Sequence, residues 1–535
     1  MENTRSKLIE AERLLDSGKY HEAVIVLKEY LSKAPEDPEA WGNLGVAYYY
    51  LRKWREAEKC FKKAIELGSK DPDLWYNLGY LYREEGRVDE AIKYYRKYLE
   101  LNPVDATAWN ELGIIFFNKG ELTEAEKCFK EAYRLNSSDP IIAGNLCIVM
   151  RSLGKEEESE EICSKAISLI REELEKNPRD ENLLEFLALV YMSCLEFSKA
   201  EEIYRKIVEI NPSNSEAWIN LAICLLRQYR GREVFEIISG TLERFKDNTS
   251  VWLKCLSLVE EYPQLDVVDF YRKACELDVR ESEVWMKIGY LLRLYGKLEE
   301  AHEAYRRAVE LKPSLKAFIE LGFTLFCKKD YSEAEEVFRQ AVEKYSQSPR
   351  AWEFLGEILF YQAKFSEAEK IFRKVLELDK QYCSAWINLI KSVMFLARFD
   401  EAGRIAREAL KYCPKSPLIL KEYGRLMLEK GAFSEASRVL AEAAKLSRED
   451  YDTWYLLALS LKRENRFDEA KRACRRAVEL KPDSWKAWCL LGEILYEKND
   501  YKESVEAFSK ALSLNPQSEE VKTKLEIAKG LAKSS

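Results

Sequence analysis

Catalysis needs a nucleophile, a base or a set of metal ligands brought within bonding distance, and this chain offers little of the kind. His21 and His302 are its only histidines, they lie 281 residues apart, and neither stands beside a nucleophile motif. The thirteen cysteines include no C-x-x-C pair, the spacing that tunes a redox couple or starts a zinc site. Neither G-x-G-x-x-G nor G-x-x-x-x-G-K-[ST] is present to cradle a phosphate. Carboxylate pairs such as Glu157 and Glu161 are numerous, but one helical turn apart they read as a solvated helix face. The residues therefore nominate no catalytic group, cofactor or metal, and the chain is not expected to be an enzyme.

What does recur is tryptophan. Trp41, Trp75, Trp109, Trp218, Trp252, Trp285, Trp352, Trp386, Trp454 and Trp488 are spaced by 33 or 34 residues or a near multiple, with one slip of seven between Trp109 and Trp218. When the repeat is numbered so that this tryptophan is fourth, position eight is glycine in eight units, Gly45, Gly79 and Gly113 among them. Glycine costs about 1 kcal/mol in a helix interior, so something must press close there. Position twenty is alanine in eleven units, including Ala57, Ala91 and Ala125, and supplies a second small surface.

Trp75, Leu78, Gly79 and Tyr82 follow the i, i+3, i+4, i+7 spacing of one helical face and define a helix A. Ala125, Phe129 and Ala132 repeat that spacing after a break near position fifteen, often glycine as at Gly86 and Gly120, and define a helix B. Thirteen of fourteen prolines fall at the junctions between units; Pro263 alone sits at the turn inside one.

Trp-x-x-Leu-Gly-x-x-Tyr followed by alanine, aromatic, alanine and proline in a 34-residue period resembles the tetratricopeptide repeat. The resemblance implies an all-α, right-handed α-α superhelix, or solenoid, of about fifteen repeats. Units begin near residues 4, 38, 72, 106, 140, 181, 215, 249, 282, 315, 349, 383, 417, 451 and 485, so one continuous array covers 4–518. Residues 519–535 form a C-terminal capping helix and tail with a polar outer face. The seven-residue slip lies in the unit at 140, where Glu156 to Lys176 reads as a lengthened helix B. Units at 215 and 249 are the least regular, with Val234 and Val268 at position twenty, Gly240 inside helix B and Leu256 in place of the small residue.

Composition narrows the setting. Met1 to Gly18 is charged and helical in pattern, unlike a secretory signal. The longest nearly apolar stretch, Ile141 to Met150, is too short to span a membrane. Cys60, Cys128, Cys163 and Cys474 occupy helix-B packing positions, so the cysteines are expected to be free thiols in a reducing cytoplasm. A net charge of −8 opposes nucleic-acid binding, which wants a basic footprint.

Protein recognition remains. In the tetratricopeptide family helix A lines a concave surface that holds peptides, and position nine faces away from the core. Here position nine reads Val46, Tyr80, Ile114, Ile148, Leu189, Ile223, Ser257, Tyr290 and Phe323: eight of nine consecutive units place an apolar or aromatic residue where water is expected. Position twelve adds Tyr49, Phe117, Leu226 and Phe326 on the flank, and position six contributes Asn77. Beyond Phe323 the stripe turns to Glu357, Lys391, Arg425, Leu459 and Glu493.

The carboxylate clamp of chaperone-binding relatives is absent; its nearest approach, Lys421 with Arg425, departs at the second residue. The superhelix of O-linked N-acetylglucosamine transferase is similar, with an asparagine ladder matched in part by Asn43, Asn77, Asn145, Asn220 and Asn388, but the resemblance extends to the groove and not to a transferase activity. The expected role is a scaffold holding a peptide segment or helix of a partner protein, and the alternative is a subunit that dimerises through its repeats. RNA binding is the third reading.

Overall fold

The computed structural model describes residues 2–262 and 265–534, and the turn at Pro263 lies outside the described residues. Thirty-one helices and no strand occur among those described. The chain divides into two compact units, Met1–Leu265 and Asp266–Ser535. In each, A and B helices alternate as antiparallel pairs. The first unit's A helices are Glu2–Asp16, Pro38–Tyr50, Asp73–Glu84, Ala106–Asn118, Pro140–Ser152, Glu181–Ser193, Ser215–Arg227 and Thr249–Glu261. The second unit's are Ser282–Leu294, Leu315–Lys328, Pro349–Tyr361, Cys383–Phe395, Pro417–Glu429, Tyr451–Arg463 and Trp485–Glu497.

Local chemistry sets the helix ends. Asp105 Oδ1 accepts from the backbone N–H groups of Thr107 and Ala108 at 2.8 and 3.1 Å, capping a helix start. Asp37 and Asp139 do the same ahead of Pro38 and Pro140, whose missing N–H costs nothing in the first turn. Position fifteen, between helices A and B, is left-handed: Gly86 has φ +72°, and Arg52, Leu195, Tyr229 and Ala363 adopt the same conformation without glycine's freedom.

Position eight is small because an aromatic ring of helix B lies on it. A Cβ added to Gly113 would stand 2.6 Å from Phe129 Cε1, and one added to Gly356 would stand 2.6 Å from Phe372 Cε1. The alanines of position twenty, such as Ala57, Ala125 and Ala368, are fully buried opposite.

The tryptophans act differently from simple core residues. Trp252, Trp285 and Trp386 are buried, but the other seven of the lattice are half-buried. Nine of the ten donate their ring N–H to the backbone carbonyl six residues upstream, as Trp109 does to Pro103 at 2.9 Å and Trp352 to Ser346 at 2.8 Å. The lattice thus ties nine of the A helices to the loop before them.

A further periodic feature is a buried glutamate at position twenty-one. Glu126 accepts from Lys130 four residues on and from Lys155 of the next repeat, at 2.8 and 2.7 Å. Although burial opposes its charge, these cations hold Glu126 below the usual carboxylate range. Glu201, Glu335 and Glu369 are clamped in the same manner. Those carboxylates join repeats and are not part of the solvated face.

The long helix B is Glu156–Lys176, and the shortest described helix is Val267–Glu276, of ten residues. Val234 and Leu256, irregular by sequence, are fully buried. At the C-terminus Val521, Leu525 and Ala528 of Glu519–Ser534 pack on Phe508 and Ala511. Among the described residues no helix is long and apolar enough to cross a membrane.

Candidate functional site

The A helices carry the site, because their packing through positions four, seven, eight and eleven leaves position nine turned from the core. In the first unit Val46, Tyr80, Ile114, Ile148 and Ile223 are half-buried, and Leu189 is 40% exposed. In the second, Tyr290 and Phe323 are 43% and 46% exposed. The stripe is therefore semi-exposed, and Val46, Tyr80 and Ile114 also pack against the buried core.

On the flank, Tyr49, Phe117 and Phe326 are half-buried, whereas Leu226 is 2% exposed and belongs to the core. Its neighbour Leu225 is fully buried as well. Tyr49 and Tyr80 meet edge to face with centroids 5.6 Å apart, and burial followed by the contact with Tyr80 pushes the Tyr49 hydroxyl above its ordinary range. The Arg83 guanidinium covers the Tyr80 ring at 4.3 Å and pairs with Glu111, whose carboxyl burial holds above its usual range despite that partner.

The asparagines at position six are partly engaged within the protein. Asn145 Nδ2 donates to Asn110 Oδ1 at 2.9 Å and Asn388 Nδ2 to Glu357 Oε1 at 3.2 Å, while Asn77 is half-buried beside Tyr80. In the second unit Tyr290 opens into a cavity of about 700 Å³ lined also by Met286, Lys287, Arg293 and Glu320. Farther along, Lys391 and Arg425 both approach Glu422, and Glu493 is held between Lys462 and Lys524, so the charged stretch is largely neutralised internally.

The pattern overlooked an aromatic edge one residue beyond position twelve. Tyr361 and Phe395 are exposed; Phe326 meets Tyr361 at 4.8 Å and Phe365 stacks on Phe395 at 4.7 Å. Tyr20 and Tyr50 stack likewise at 4.5 Å in the first unit. The signal was an aromatic at position thirteen, as at Tyr50, Tyr361 and Phe395.

His21 is exposed, and His302 Nε2 lies 3.0 Å from Glu333. The cysteines require a correction. Cys147 is bonded to Cys163 and Cys383 to Cys413, with Cα atoms 5.0 and 6.1 Å apart, so four of the thirteen are not free thiols. The reason is spatial: neither pair has a redox spacing in sequence, but antiparallel pairing brings each within bridging distance. Cys194 Sγ is 3.8 Å from Cys147 Sγ, and burial pushes its thiol up. These three sulfurs lie within 4.8 Å of one another, the one cluster among the described residues that could hold a soft metal, and only once reduced.

Comparison with known proteins agrees with this architecture. Residues 37–248 and 343–528 match the family described as cilia and flagella-associated protein 70 C-terminal domain, and 10–49 and 282–315 match tetratricopeptide repeats. The auxiliary subunit of the N-terminal acetyltransferase A complex of Arabidopsis thaliana is 26% identical over 165 residues, 28% of this chain and 18% of that protein. Subunit 3 of the anaphase-promoting complex of Schizosaccharomyces pombe is 25% identical over 156 residues, 29% of this chain and 22% of that one. The matched stretch thus spans about a fifth of either relative.

Among solved structures, yeast Tom70 is 19% identical over 93% of this chain and 96% of its own, with a TM-score of 0.34. Naa15/Naa10 bound to HypK-THB is 13% identical over 99% and 97%, with a TM-score of 0.39. The family match covers most of the sequence, and with the helix pairing and the glycine-on-aromatic packing it leads to one assignment: this chain belongs to the cilia and flagella-associated protein 70 C-terminal domain family of tetratricopeptide-repeat proteins.

Proposed function

We propose that this chain is a non-enzymatic scaffold that holds an extended or helical segment of a partner protein against its A-helix face. The observation that carries the reading is the semi-exposed stripe: Val46, Tyr80, Ile114, Ile148, Leu189 and Ile223 in one unit, Tyr290 and Phe323 in the other. Contiguous apolar surface in solvent is a liability unless something covers it. Tyr49, Asn77, Phe117 and Phe326 serve as its flank, with Leu226 acting from beneath. No residue is given a catalytic role, and no cofactor, nucleic acid or membrane is invoked.

The reading also places the chain in the cytoplasm. The test is affinity capture from the source cells with wild type and a Leu189→Asp, Tyr290→Asp, Phe323→Asp variant. These side chains are exposed, so the variant stays folded and loses the captured partner; a folded variant that retains it removes the reading. A second reading, self-association through the repeats, is favoured by the exposed rings of Tyr361 and Phe395. A concentration-dependent sedimentation coefficient abolished by Tyr361→Ser and Phe395→Ser would establish it.

A further inference from the structure

On the B-helix side of the second unit, the helices Phe433–Leu446 and Phe467–Leu480 flank a groove of about 900 Å³. Its floor is the half-buried Trp454 and Ala441, with Leu457, Leu461, Ala444 and Ala473 of the core directly beneath. Arg438, Lys445 and Arg448 stand on one wall and Arg466, Arg472 and Arg476 on the other, against the single carboxylate of Glu469. Arg466 is engaged by Glu464 and Glu469, and Arg476 by Glu449 and Glu479. Arg438, Lys445, Arg448 and Arg472 make no ion pair among the described residues.

Three cations without a partner, joined by Arg472, whose charge is shared with Asp468, surround one apolar trough in a chain of net charge −8, an imbalance that a ligand of opposite charge would relieve. We infer that this groove is a second docking site, separate from the A-helix stripe, for an acidic amphipathic helix of a partner protein. The charges run in two rows with apolar surface between them. Arg438 and Lys445 are two helical turns, about 10 Å, apart along one wall. Arg472 and Arg476 are one turn apart along the other. A helix laid in the trough seats an apolar i, i+3, i+4, i+7 stripe on Trp454, Ala441 and the edges of the leucines beneath, and presents carboxylates to both walls.

A single-stranded nucleic acid fits less well. Its bases need stacking platforms, whereas the floor is aliphatic apart from Trp454, whose ring N–H is already donated to Arg448 O at 3.0 Å.

The experiment is fluorescence anisotropy on the full chain at physiological salt. The probes are a synthetic 15-residue helix with leucines at that spacing and flanking glutamates, a scrambled peptide of the same composition, and a 15-nucleotide single-stranded RNA. The protein variants are Arg438→Glu with Arg472→Glu, and Arg438→Gln with Arg472→Gln, each checked by circular dichroism; the glutamine pair keeps the test open should the glutamate pair misfold. The site predicts that the patterned helix binds at least tenfold tighter than the other two probes and that a folded variant binds it at least tenfold more weakly. No binding of the patterned helix, equal binding of scrambled peptide or RNA, or an unchanged affinity in a folded variant would overturn it.

Discussion

Cys147 and Cys163 stand, sixteen residues apart, at the two positions where Gly113 and Phe129 touch one repeat earlier. The bond therefore replaces a packing contact that the repeat makes anyway. Titration of the denatured protein, prepared without reductant, is expected to give nine thiols, rising to thirteen after reduction. Thirteen at the outset would show that neither this pair nor Cys383 with Cys413 is bonded.

Tyr95 and Tyr305 occupy the position filled by Phe61, Phe129 and Phe338 in other repeats, and among the described residues their buried hydroxyls have no hydrogen-bond partner. An unsatisfied buried hydroxyl costs about 1–3 kcal/mol. Tyr95→Phe and Tyr305→Phe are expected to leave stability unchanged or raise it by about 1 kcal/mol in urea unfolding. A loss above about 1 kcal/mol would mean that each hydroxyl is satisfied in solution.

Glu357 offers a pH signature. Burial, reinforced by Glu353 and opposed by Asn388 and Lys391, pushes its carboxyl up to about 7. The unfolded chain releases this proton near pH 4.3 and the folded chain near 7, so between those values the native state binds more protons and stability falls as pH rises. Glu357→Gln removes that dependence while keeping an acceptor for Asn388. The variant should match wild type near pH 4 and exceed it above pH 7 by on the order of 1–3 kcal/mol; equal stability across the range would show an ordinary carboxyl.

The tryptophans are not equivalent. Trp285 is fully buried and donates to Val279 O at 2.8 Å, while Trp75 is half-buried and stacks on Tyr94 at 5.8 Å. Trp285→Ala is expected to cost about 3–5 kcal/mol in local stability by hydrogen exchange, and Trp75→Ala clearly less. The reverse order would mean that exposure is a poor guide to what these rings contribute.

Much of this was legible in sequence because a 34-residue beat fixes both which residues share a helix face and which positions meet across a helix pair. The small residue at Gly113, the cap at Asp105 and the outward turn of Leu189, Tyr290 and Phe323 all follow from that beat. Less was legible where partners come from the neighbouring repeat. Glu126 looks like any surface carboxylate until Lys155 arrives from the next unit, and Leu226 looks like a flank residue until its neighbours close over it. The Cys147 to Cys163 bond was within reach, since the spacing of sixteen separates the glycine and aromatic that touch elsewhere, but a cysteine in place of the glycine hid the correspondence.

The most direct test of the account places a photo-crosslinking phenylalanine analogue at Tyr80, Ile114 or Leu189, all in the first unit, and at the exposed helix-B position Glu336 as a control, then maps the crosslinked partner peptides by mass spectrometry. The account predicts that the A-helix positions crosslink to one contiguous segment of a single partner and that position 336 does not. Crosslinks from 336 alone, or from the A-helix positions to unrelated peptides without common sequence, would contradict it.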